Sequence, residues 1–143
     1  MSILGRVMVI AAATAAVTVV GSAVASAEPG PDGKYYGAIA MREQPGQDAW
    51  GAAWNHPTQA SADRAALNEC GNCSTILVQW SDGCASVAEN TRTTLHTAGV
   101  GATRAEAERN ALDELRRINQ LPTTGSFENA NDPGHILLTY CNG

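Results

Sequence analysis

"PTQASADRAALNEC" (residues 57–70) and "ATRAEAERNALDEL" (residues 102–115) decide the fold, because they are one stretch written twice. At a constant offset of 45 residues, Thr58, Ala60, Ala62, Arg64, Ala66, Leu67 and Glu69 recur as Thr103, Ala105, Ala107, Arg109, Ala111, Leu112 and Glu114. Asp63 becomes Glu108 and Asn68 becomes Asp113. Ala-rich helices match one another by composition, but not with threonine, arginine and glutamate in register. The pattern is that of one supersecondary unit used twice, too few copies for a solenoid.

Each copy predicts a helix with a legible start. Thr58 and Thr103 stand where an N-cap hydroxyl takes up a free backbone N–H, and Glu106 follows Thr103 at the capping-box spacing. Ala62, Ala66, Leu67 and Cys70 form one apolar stripe; Ala107, Ala111, Leu112, Leu115 and Ile118 form its counterpart. Stripes made mostly of alanine let a helix lie close on a sheet but bury little area, so disulfides should matter.

A strand pair precedes each helix. "YYGAIAM" and "DAWGAAWN" come before the first, "GCASVAEN" and "TTLHTAG" before the second. Between the copies, "CSTILVQW" reads as a buried central strand, and "SDG" as the tight turn leading to Cys84. The resulting expectation is an α+β domain: a mostly antiparallel sheet with two packed helices, built from a strand-strand-helix unit used twice. Residues 119–134 break the pattern with Pro, Gly, Asn and Thr and read as a flexible loop. "HILLTYC" reads as a last strand.

Residues 1–27 stand apart from this unit. Arg6 is followed by the apolar "VMVIAAATAAVTVV" and then by Ala25-Ser26-Ala27, the small-x-small form a signal peptidase accepts. Cleavage after Ala27 is expected, with residues 28–34 as a flexible N-terminus and residues 35–143 as a single disulfide-bonded domain. Taking 27 residues from 143 leaves 116, one core's worth. Arg6 leaves with the leader, which moves the formal charge from −5 to −6. An acidic chain with scattered arginines offers no stripe for nucleic acid or anionic lipid, so neither nucleic-acid binding nor stable membrane insertion after cleavage is expected. The expected location is extracellular or in the cell envelope.

Four cysteines in an exported chain read as two disulfides. Cys73 begins the strand "CSTILVQW" and Cys84 lies beyond its far end, on the order of 23 Å away at strand rise. A disulfide spans about 5.5 Å between Cα atoms. Cys70 is tied to the Cys73 end by two residues, so the pairing is Cys70–Cys73 and Cys84–Cys141. A redox Cys-x-x-Cys is usually activated by a helix N-terminus. Cys70 instead closes a helix, where the dipole disfavours a thiolate. A zinc site would need a second ligand pair at metal spacing, which the chain lacks; no metal or cofactor is expected.

His56, His96 and His135 are the candidates for general-base chemistry near neutral pH. No serine sits in a Gly-x-Ser-x-Gly elbow, and a triad of His56, Ser86 and Asp82 has no support from spacing. Trp50 and Trp54 lie four apart on one strand and so share a face. They either cover the core beneath a helix or form an exposed pair suited to a protein or glycan partner.

In order along the chain, "YYGAIA", "AWGAAWNHPTQASADRAALNECGNC", "GCASVAEN", "GVGATRAEAERNALDEL" and "CNG" resemble domain of unknown function family 4189. That family consists of small secreted actinobacterial proteins, many of them mycobacterial. The resemblance implies an exported α+β domain with two disulfides, no established enzymatic activity and, for some members, a role in host interaction; it supplies no catalytic residues. Residues 119–133 look like an insertion relative to it. The sequence thus predicts a secreted, non-enzymatic interaction module acting on host or envelope components. The alternatives are a thiol–disulfide oxidoreductase using Cys70 and Cys73, or an inhibitor of a secreted enzyme presenting the 119–133 loop.

Overall fold

The first helix, α1 (Gln59–Cys70), begins where the sequence places its cap: the Thr58 hydroxyl accepts the Ser61 N–H at 3.2 Å. It ends at Gly71, whose N–H returns to the Leu67 and Asn68 carbonyls. The second helix, α2 (Arg104–Asn119), carries the full capping box. Its Glu106 N–H donates to the Thr103 hydroxyl, and the Glu106 carboxylate accepts the Ala102 N–H at 2.9 Å. These helices belong to a computed structural model that describes residues 28–44, 47–119 and 133–143. The expected leader and nearly all of the expected 119–134 loop lie outside those residues.

Around the helices run six strands: β1 (Tyr36–Arg42), β2 (Ala49–His56), β3 (Thr75–Ser81), β4 (Cys84–Glu89), β5 (His96–Gly101) and β6 (His135–Cys141). The fold is α+β and its strand pairs are antiparallel, as the sequence indicated. The strands divide into two sheets of three, ordered β2-β1-β3 and β5-β4-β6. The expectation of a single sheet with "CSTILVQW" at its buried centre is therefore corrected. β3 is an edge strand of the first sheet, with Trp80 its one fully buried side chain.

β3 closes the first unit, and β6 closes the second in the same way. "TILVQWS" and "HILLTYC" each pair with the first strand of their own unit, and each carries an extra leucine, Leu77 or Leu137, where the register shifts. The unit is strand-strand-helix-strand. Each helix is also tied to its closing strand: Gln79 donates to the Asp63 carboxylate at 2.7 Å, and Thr139 to the Glu108 carboxylate at 3.0 Å.

The alternation along β1 shows how the layers stack. Ala38 and Ala40 pack with Ala62 and Ala66 of α1, while Ile39 between them points the other way, onto Ala85 and Val87 of β4. In the second sheet, Ala88 meets Ala111 and Leu115 of α2. The sheets lie face to face with one helix outside each, four layers in the order helix, sheet, sheet, helix. Because β1 and β4 are covered on both faces, they lack the polar alternation of a half-solvated strand.

Close approach of helix to sheet has a clear local cause. A Cβ at Gly51 would stand 2.1 Å from the Ala66 carbonyl oxygen, and one at Gly99 2.2 Å from the Ala111 nitrogen. Each helix rests its alanine stripe on a bare glycine in the strand below.

The chain ends tie the two halves together. The Asn142 carboxamide donates to the Tyr35 carbonyl at 3.1 Å and accepts the Asn55 N–H at 2.8 Å. Upstream of β1, the Tyr36 hydroxyl donates to the Asp32 carboxylate. That bond holds the Asp32 carboxyl below its ordinary value and pushes the Tyr36 phenol up.

Candidate functional site

Trp50 and Trp54 project from β2 on the face opposite Gly51 and Ala53, which lie under α1. They therefore look toward the second sheet, and neither sequence alternative describes them. Trp50 is half-buried and meets His96 edge-on, with ring centroids 4.8 Å apart. Trp54 is 42% exposed and stacks on Tyr140, centroids 4.6 Å apart and planes 19° from parallel. One tryptophan thus helps to fill the inter-sheet space and the other is left at its rim.

The Trp54–Tyr140 stack is a built feature. β2 and β6 are edge strands of opposite sheets, and the stack joins their ends. Asn55, next to Trp54, takes a positive φ of 59° and bonds with Asn142 and Gly143 beside Tyr140. The result is an aromatic plate with an amide rim, a surface that can cover the apolar face of a sugar ring or an apolar side chain while hydrogen-bonding its edge. Tyr140 was missed by the sequence reading. The correspondence of "TILVQWS" with "HILLTYC", at an offset of 60 rather than 45, is the signal that could have found it.

At another place between the sheets, His96 has its side chain 2% exposed. Its Nδ1 lies 3.2 Å from a Glu43 carboxylate oxygen and its Nε2 3.5 Å from one of Glu89. Glu89 is the register partner of both His96 and His135, and its second oxygen lies 3.5 Å from His135 Nε2. His56, paired with Tyr36 at the end of β2, is half-buried. Two of the three histidines are thus brought to one carboxylate. Glu43 and Glu89 were not singled out in the sequence, because the sheet pairing that selects them is not visible there.

Ser86 is fully buried, bonded to the Leu138 carbonyl at 3.2 Å and adjacent to the Thr139 hydroxyl at 3.0 Å. The Asp82 carboxylate accepts the Tyr35 N–H at 3.1 Å. Both are held by bonds inside the framework. Cys70 is bonded to Cys73 and Cys84 to Cys141, the second bridge joining directly opposed residues of β4 and β6. Cys70 is the last residue of α1, so the short bridge hangs from the helix's C-terminal end. Among the described residues, no group of three or more His, Cys, Asp and Glu is arranged to hold a metal ion. No described helix is long and apolar enough to cross a membrane.

The chain is 38% identical over 80 residues to Protein Rv1269c of Mycobacterium tuberculosis strain H37Rv and, to the same degree, to Protein Mb1300c of Mycobacterium bovis. The match covers 56% of this chain and 60% of each relative, so the chain spans about three fifths of the length of the curated relatives it matches. The NMR structure of Rv1813c from Mycobacterium tuberculosis superposes with a TM-score of 0.53 at 29% identity, covering 96% of this chain and all of that one. A family model, Domain of unknown function (DUF4189), matches residues 36–131. The chain belongs to the DUF4189 family.

Proposed function

We propose that this protein is exported, braced by its two disulfides, and works by contact rather than catalysis on a component of the cell envelope or of a host. The observation that carries this reading is the exposed stack of Trp54 on Tyr140. Trp54 is 42% exposed, and its orientation is fixed by a second ring and an amide rim. Aromatic residues held rigid at a surface are the usual anchors of protein and glycan contacts. The leader-like residues 1–27 and the even cysteine count support export. The thiol–disulfide alternative is disfavoured by the attachment of Cys70 to the negative end of the α1 dipole.

Direct binding tests the contact reading. Binding would be measured by titration calorimetry with solubilised mycobacterial cell-wall glycans and, separately, with host extracellular-matrix proteins. The expected result is saturable binding to one class, weakened about tenfold or more by Trp54→Ala with an unchanged far-UV spectrum. Saturable binding that Trp54→Ala leaves unaltered would remove the stack from the contact. Failure of the wild type to bind either class would remove the reading.

A further inference from the structure

His96 holds both of its ring nitrogens against carboxylates, and the two carboxylates come from different halves of the molecule. Glu43 follows β1 of the first sheet; Glu89 ends β4 of the second. A neutral imidazole offers one donor and one acceptor. Whichever nitrogen kept the lone pair would face a carboxylate oxygen, at 3.2 Å on one side or 3.5 Å on the other, almost out of reach of water. Only the doubly protonated ring can donate to both. Imidazole is also the side chain whose charge ordinarily changes between about pH 5 and 8.

We propose that His96 is a proton-operated clamp between the two sheets. Carrying two ring protons, it joins the β1–β2 connection to β4 through Glu43 and Glu89; losing one, it releases the Glu43 side. Glu43 is the arm that gives way because its side chain is 57% exposed and can turn to water, whereas Glu89 is 19% exposed and is also faced by His135. β2 supplies the uncharged edge contact of Trp50, and β3, which also packs against β5, carries no titratable residue. His135, 46% exposed, shares Glu89 with His96, its Nε2 lying 3.5 Å from the second carboxylate oxygen. The protein is therefore tightened at one end of its sandwich in acid and loosened there toward neutral and alkaline pH.

The release has a local reporter. Directly behind Glu43, the Gln44 N–H donates to the Asp48 carboxylate and the Gln47 N–H to the Gln44 carbonyl at 2.8 Å. The test is an NMR titration of the whole mature protein from pH 5 to 8. It would follow the His96 ring nitrogens and, after correction for intrinsic rates, amide exchange at Gln44 and Gln47. The expected result is a His96 ring protonated on both nitrogens at the acid end. Loss of one proton should coincide with about fivefold or greater loss of protection at the two amides. Glu43→Gln, at a half-exposed position outside the strands, should keep the fold and abolish the pH dependence at those amides. A ring singly protonated throughout, or a pH dependence that Glu43→Gln leaves intact, would overturn the clamp.

Discussion

The two halves of this protein repeat one unit, yet they are closed by different means. In the first half, β3 follows α1 after a short connection that the Cys70–Cys73 bridge spans. In the second, residues 120–134 separate α2 from β6, and the Cys84–Cys141 bridge fastens β6 across its ladder to β4. Their helix contacts differ as well. The first relies on alanines: Ala38, Ala40 and Ala53 against Ala62 and Ala66. Leu67 and Ile76 flank that cluster as Leu112 and Ile136 flank the second, but the second buries Leu115 where the first has Cys70, and it also buries the hydroxyls of Ser86 and Thr97. A repeated unit can thus accept a long connection before its closing strand, provided that the strand has its own anchor. The closure entropy of a longer loop rises only slowly, and a cross-link over that loop removes more of it from the unfolded chain.

The sharpest way to break this comparison is to remove the bridges separately. Paired Cys84→Ser and Cys141→Ser changes should cost about 4 kcal/mol in denaturant unfolding, against about 2 kcal/mol for Cys70→Ser with Cys73→Ser. Equal losses would mean that the two closures are not different in kind. Next in size are the glycines under the helices. Gly51→Ala and Gly99→Ala should each cost about 2–3 kcal/mol, read as a fall in melting temperature, because the new Cβ meets helix backbone rather than a movable side chain. If one is tolerated, the helix on that side has room the other lacks.

A smaller effect is expected at the ties from helix to closing strand. Asp63→Ala and Glu108→Ala should each cost about 1 kcal/mol, since each carboxylate accepts from its closing strand while remaining partly open to water. Each carboxylate also has a partner one turn back on its own helix, Gln59 for Asp63 and Arg104 for Glu108, so the two losses should be alike in a paired unfolding measurement.

The smallest effect belongs to the first half alone, where Tyr36 starts β1 at the position that Cys84 takes at the start of β4 in the second. The Asp32 carboxyl is lowered by the Tyr36 hydrogen bond, so its contribution is complete above about pH 4 and fades as pH falls through the lower folded value. The Tyr36 phenol is raised by the same bond, so its contribution is complete below about pH 10 and fades as pH rises through the higher folded value. Amide signals of Gly33 and Lys34 should therefore sharpen below pH 4 as this turn loosens, and Asp32→Asn should remove that acid response.

Much of this comparison was legible in the chain. The 45-residue offset placed both helices, and Thr58, Thr103 and Glu106 placed their starts within a residue, because capping is local chemistry. The closing strands were harder to match, since the residues after α2 move the offset from 45 to 60 and hide the kinship of Ile76-Leu77-Val78 with Ile136-Leu137-Leu138. Division into two sheets was not legible either. β1 and β4 are buried on both faces, and a strand rich in small apolar residues does not say whether a helix or another sheet covers it. The sites suffered for that reason. Trp54 was singled out but its partner Tyr140 was not, and His96 was noted without the two carboxylates that only the sheet pairing brings to it.

The claim that separates the contact reading from its redox rival is that Cys70 and Cys73 form a staple at the end of α1. The reduction potential of that bridge, measured on the mature protein with the Cys84–Cys141 bridge intact, tests it directly. A structural staple predicts a potential below about −300 mV. A value between about −270 and −120 mV, the range of thioredoxin-like exchange, would contradict it and make electron transfer through Cys70 and Cys73 the protein's activity.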